Sequence, residues 1–173
     1  MTEKELLEKF KSILLKKHNL SEDSLILSPG NKSKEMDFVI INEIANSAIC
    51  LEAKIFNDSR SNSNSFLSLF GKIIKGRYLC ENSSTIKNIK FKEYGFLFSG
   101  TNANIIKAYF SIVAFDDWQL FCESFNLKRI YIVSNSDYEL FTWKEFYSWC
   151  EVNSINSYLE NAHIVDEDDD VVH

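Results

Sequence analysis

The sequence predicts an α/β fold, in which helices alternate with short strands. Two observations predict it. Apolar residues recur at helical spacing over 3–18, 65–80 and 101–126, and short apolar runs rich in β-branched and aromatic residues separate them. With 173 residues, of which 45% are hydrophobic and 14% aromatic, the chain is long and apolar enough for one domain with a core of its own.

The elements follow in order. Over 3–18, Leu6, Leu7, Phe10, Ile13, Leu14 and Lys17 share one side of a helix. Glu3 begins that side, whereas Glu5 and Glu8 point outward. "SLIL" at 24–27 is a short strand closed by the turn signal "SPGN". Two strands near 36–43 and 48–56 come next, and Asn46-Ser47 supplies the turn between them. "NDSRSNSNS" at 57–65 reads as a flexible polar linker, well placed to cover a substrate. The helix near 65–80 carries Phe66, Leu69, Phe70, Ile73, Ile74 and Tyr78 as its apolar stripe.

"YGFLFSG" at 94–100 is a strand. Two helical pieces over 101–126 meet near the "DDW" of 116–118, and "RIYIVSN" at 129–135 is a further strand. "TWKE" at 142–145 matches a capping box, Thr142 being the N-cap. Trp143, Phe146, Tyr147 and Cys150 then face the core, so Trp143 and Trp149 serve packing rather than base stacking. There is no internal repeat. Residues 1–160 make one domain, and 161–173 form an acidic, flexible tail.

Charge and cysteine content narrow the class. Net charge is −6, but "DEDDD" at 166–170 supplies −5 of it. The body is near neutral and can present a basic face, with Lys72, Lys75 and Arg77 on one segment and Lys87, Lys90 and Lys92 on the next. Cys50, Cys80, Cys122 and Cys150 form no C-x-x-C pair and sit mostly in apolar stretches, as free buried thiols of a cytoplasmic protein do. No apolar run approaches the length of a membrane span, and the charged "MTEKELLEKF" is not a signal peptide. Phosphate-loop, dinucleotide-fingerprint and nucleophile-elbow motifs are all missing, and no histidine falls between 19 and 162.

The chemistry concentrates in two strands. "MDFVII" carries Asp37, and "ICLEAKIF" carries Glu52, Ala53 and Lys54. Strand residues i and i+2 share a face, so Glu52 and Lys54 project together, while Leu51, Ala53 and Ile55 face the other layer. A reversal at Asn46-Ser47 brings Asp37 within a residue or two of Lys54 on the next strand, about 4.8 Å away. Two carboxylates and an ammonium then share one small volume, which suits Mg²⁺, an ion that takes one or two carboxylates plus phosphate oxygens. This acid-x-Lys is the chain's only one, although roughly two are expected by chance.

An acid followed by Glu-x-Lys on a buried strand resembles the PD-(D/E)xK superfamily, the restriction-endonuclease-like nucleases. The order helix, three strands, helix, strand over about 3–100 is similar to that superfamily's αβββαβ core, which implies a central mixed β-sheet flanked by helices. The resemblance implies that Asp37, Glu52 and Lys54 are catalytic. It also implies that Asp37, Glu52, Ala53 and Glu3 surround the metal, Glu3 being the acid of the first helix. Met36 stands where the name-giving proline would be. Lys72 and Gly76 replace the Gln-x-x-x-Tyr signature of RecB-like members.

The implied activity is a Mg²⁺-dependent DNA endonuclease in which Mn²⁺ substitutes. It would work as a homodimer on DNA rather than RNA, with Lys72, Lys75 and Arg77 on the nucleic acid and no membrane partner. A catalytically inactive nucleic-acid-binding or assembly subunit is the alternative. A protein whose acidic tail docks a basic partner is a further one.

Overall fold

The structure is a computed structural model and describes residues 1–27, 36–57 and 62–151. The helix α1 (Glu3–His18) opens the chain. After a short 3₁₀ turn come β1 (Leu25–Leu27), β2 (Phe38–Asn42), β3 (Ser47–Lys54), α2 (Asn62–Asn82) and β4 (Phe91–Ser99). Then follow α3 (Ala103–Phe110), α4 (Phe115–Ser124), β5 (Leu127–Ser134), β6 (Asp137–Phe141) and α5 (Trp143–Glu151). The predicted "SPGN" turn and the tail of 161–173 lie outside the described residues.

The six strands make one mixed sheet in the order β1-β2-β3-β4-β5-β6. β1, β2 and β3 form an antiparallel meander. β3, β4 and β5 are parallel, and β6 returns antiparallel at the edge. Parallel neighbours need a crossover, which α2 provides between β3 and β4 and the α3–α4 pair between β4 and β5. The α/β class with a mixed sheet and flanking helices therefore holds.

Strand alternation builds two cores. Phe38, Leu51, Ala53, Leu97, Tyr131 and Val133 face α1 and pack on Leu6, Leu7, Phe10, Ile13 and Leu14. Cys50, Phe96, Phe98, Ile130 and Ile132 face the other way, onto residues of α2 to α5. That second layer is dense in rings. Phe110 lies 4.9 Å from Phe146 and 5.4 Å from Trp118, in edge-on geometry that favours aromatic pairs. Thr142 accepts from the Glu145 N–H at 3.1 Å, and Phe146 and Cys150 are buried below it. Trp149 stacks on Phe146 and is used in packing.

Asparagine does the work that scarce glycine cannot. Among the described residues every non-glycine with positive φ is an Asn: Asn19, Asn46, Asn102, Asn126 and Asn135. Its short polar side chain tolerates the left-handed region better than bulkier residues do. Asn46 closes the β2–β3 turn, as expected. Asn135 was expected inside a strand but turns the chain into β6, a strand not anticipated from the sequence.

Two other boundaries differ. The break within 101–126 falls at 111–114, and Asp116 and Asp117 occupy the first turn of α4, where acids complement the helix dipole. α2 starts at Asn62, so residues 62–65 of the expected polar linker are helical. The Asn57 N–H donates to Asn62 Oδ1 at 3.0 Å, and the Asn62 amide donates back to the Asn57 carbonyl. That clasp holds the helix start. Residues 58–61 lie outside the described residues.

Candidate active site

The β2–β3 register decides what meets at the sheet's end. Phe38 pairs with Leu51, so one further step sets Asp37 against Glu52. Asp37 Oδ2 accepts the Ala53 N–H at 3.0 Å, which ties the first acid to the strand of the second. The two carboxyls are close enough to affect each other's acidity. Both are buried, with Asp37 6% and Glu52 5% exposed.

Proximity and burial show in their acidity. Burial, then the Asp37 charge, push Glu52 up to about 8. Burial also raises Asp37, against the lowering effect of the Ala53 N–H.

Two lysines complete the cluster. Lys54, at the end of β3, stands 3.3 Å from Glu3 Oε1 at the start of α1. The Lys54 side chain is only 11% exposed. Thr2 caps α1 with a reciprocal capping box to Glu5, so Glu3 is held on a fixed first turn. Lys72 reaches down from α2 and stands 3.3 Å from Glu52 Oε1. Burial works to lower the Lys72 pKa, but the charges of Glu52 and Glu3 outweigh it and raise it overall.

The structure thus brings Asp37, Glu52, Ala53, Lys54 and Glu3 together. Lys72 joins them, although it was expected at the periphery. Leu69, Ile73 and Gly76 are buried, so Lys72 borders the inward face of α2.

The other expected basic residues are elsewhere. Lys75 is exposed on α2. Arg77 donates to the Ser124 carbonyl at 2.7 Å and lies over the rings of Tyr94 and Phe125. Lys92, read from sequence as part of a surface patch, is 6% exposed and donates to the Ile89 carbonyl at 2.9 Å.

A divalent metal fits this donor set in one way. Among the described residues no group of three or more His, Cys, Asp and Glu could hold a metal ion. Zinc, which takes three or four such ligands, is poorly served. Mg²⁺ and Mn²⁺ suit it better, because two carboxylates suffice when water and phosphate fill the remaining positions. Burial raises the proton affinity of both carboxyls, and the Asp37 charge raises that of Glu52 further, a penalty on ionisation that a bound cation relieves. Glu3 enters the cluster through Lys54 rather than as a third carboxylate beside the pair.

No family model, curated protein or solved structure matches the chain. Among the described residues no helix is long and apolar enough to cross a membrane.

Proposed function

We propose that this chain is a metal-dependent phosphodiesterase that hydrolyses nucleic acid, a DNA endonuclease of the PD-(D/E)xK kind. One observation carries the reading: two buried acids, Asp37 and Glu52, meet across β2 and β3 with two ammonium groups beside them.

Asp37 and Glu52 would hold Mg²⁺ or Mn²⁺. When bound, that ion supplies Lewis acidity toward water and toward the phosphate. The chain's own groups do the rest. Ala53 fixes the rotation of the Asp37 carboxylate through its N–H. Lys54 stabilises the charge that grows on the phosphoryl oxygens, and Glu3 holds its ammonium in place. The neutral alternative for Glu52, protonated through neutrality, is the form that must give way for the site to work. Two copies acting on one duplex would cut both strands.

The test is one gel. The purified chain is incubated with circular, linear, single-stranded and branched DNA, and with RNA, in Mg²⁺, Mn²⁺, Ca²⁺ or chelator. Cleavage in Mg²⁺ or Mn²⁺ that stops in chelator and in an Asp37→Ala/Glu52→Ala double variant supports the reading. Equal cleavage by that variant would overturn it.

A further inference from the structure

Lys54 and Lys72 stand the same distance from their acids, yet the two pairs differ. Lys54 meets Glu3, which is itself 36% exposed, so that pair lies at the rim. Lys72 meets Glu52, whose side chain is 7% exposed, while its own is 39% exposed. A half-exposed ammonium thus stands against a buried carboxyl.

The charge count gives that pairing a consequence. Asp37 and Glu52 together carry −2 when ionised. A divalent cation cancels this alone. An ammonium left in contact with Glu52 would then face a dication at close range, a repulsion that is severe in a site shielded from water. Lys72 is at the end of a four-carbon stem on the middle of a 21-residue helix. It can swing away without any shift of backbone, as lysine's flexible stem permits. Its exit leads toward solvent, where a phosphate would enter.

We propose that Lys72 is a built-in counter-cation: it balances Glu52 whenever that carboxyl is ionised, until a divalent ion takes Asp37 and Glu52, and then transfers to the phosphate of the substrate. This inference rests on the metal-dependent reading of the site. It makes lysine and metal competitors, and lysine and substrate allies. Linkage requires that deleting one competitor tighten the other.

The experiment uses the full chain and two binding measurements, both independent of turnover. Mn²⁺ binding is followed by calorimetry and by water-proton relaxation. Binding of a short duplex is followed in Ca²⁺ by fluorescence anisotropy. Lys72→Met, which keeps length and loses charge, should bind Mn²⁺ about tenfold more tightly, within the range of ordinary coupling free energies. The same variant should bind the duplex more weakly. Lys72→Gln should do both as well, and serves if the Met variant does not fold. A structural role alone would not move the two affinities in opposite directions.

If Mn²⁺ affinity in these variants is unchanged or weaker, while Asp37→Asn and Glu52→Gln abolish it, the counter-cation role is wrong and the metal site stands. If the wild-type chain binds no Mn²⁺, or the Asp37→Asn/Glu52→Gln double variant binds it as well as wild type, the functional reading itself fails.

Discussion

Asp37 is suspended from the backbone of Ala53, whose N–H it accepts at 3.0 Å, so one acid of the candidate site depends on the strand that carries the other. Asp37→Asn keeps an acceptor for that N–H and removes a buried charge. It should abolish cleavage with the fold intact and the melting temperature unchanged or higher. Asp37→Ala also relieves the carboxylate pair, but leaves the N–H unpaired at a cost of about 1–3 kcal/mol. Thermal melts of the two variants should therefore separate, with Asn above Ala. The reverse order would mean that the hydrogen bond contributes nothing.

In the proposed mechanism Lys54 stabilises charge on the phosphate. Lys54→Ala should bind metal yet lose a factor of about 10²–10³ in turnover, the scale of one lost electrostatic contact. Lys54→Arg should not restore it, because a planar fork does not fit an 11% exposed niche shaped around an ammonium and Glu3. Glu3→Gln should lower turnover in the same direction by loosening Lys54. Single-turnover rates at saturating Mg²⁺ check all three, and a wild-type rate in Lys54→Ala would remove that residue from the chemistry.

Glu52 makes stability depend on pH. In the unfolded chain it titrates near the ordinary glutamate value of 4.5, whereas in the folded chain burial and the Asp37 charge push it up to about 8. The folded state therefore binds the extra proton between these limits. Its contribution is fully present below about pH 4.5 and is lost as pH rises through about 8. Metal-free protein should melt at a falling temperature from about pH 5 to pH 9, and Glu52→Gln should flatten that slope. Added Mn²⁺ should reverse the loss at the alkaline end, since it binds only the folded, ionised pair. An identical slope in Glu52→Gln would assign the effect to another group.

Gly76 and Gly71 lie on the same helix and should respond oppositely to alanine. A Cβ at Gly76 would come 2.6 Å from Met36 Cγ, and Met36 immediately precedes Asp37. Gly76→Ala should cost about 1–3 kcal/mol through overpacking and should also reduce cleavage by displacing Asp37. A Cβ at Gly71 meets nothing within 4 Å. Gly71→Ala should stabilise α2 by up to about 1 kcal/mol with activity unchanged. Urea unfolding and the gel assay, run on both variants, distinguish the two.

The parts of this site that depend on local pattern were legible in the sequence. Period-two alternation put Glu52 and Lys54 together, and Asn46 marked the reversal that brings Asp37 beside them. Lys72 was misplaced because its role depends on how α2 crosses β3, a tertiary relation that helix periodicity does not encode. Lys92 and Arg77 looked like surface cations because long apolar stems hide charged residues that bond to carbonyls. β6 escaped notice although "DYEL" alternates polar and apolar, because the run is only five residues long and mostly exposed at the sheet edge. The aromatic layer over β4 and β5 was legible as apolar stripes, but its helix break at 111–114 carries neither Gly nor Pro.

α1 is anchored at both ends by residues remote in the chain. Glu3 meets Lys54, while Lys17 meets Asp137 at 2.8 Å and His18 meets Tyr138 at 2.6 Å, each 120 residues away. During synthesis the helix must therefore wait for β6 before its far end can be secured, a long-range closure of the kind that slows folding. The hairpin joining Asp37 to Glu52 needs no such delay. A chain halted before residue 137 would already pair its two acids but would lack the clasp that steadies α1, and with it Glu3. In this topology the carboxylates come together early and the far end of α1 is secured last.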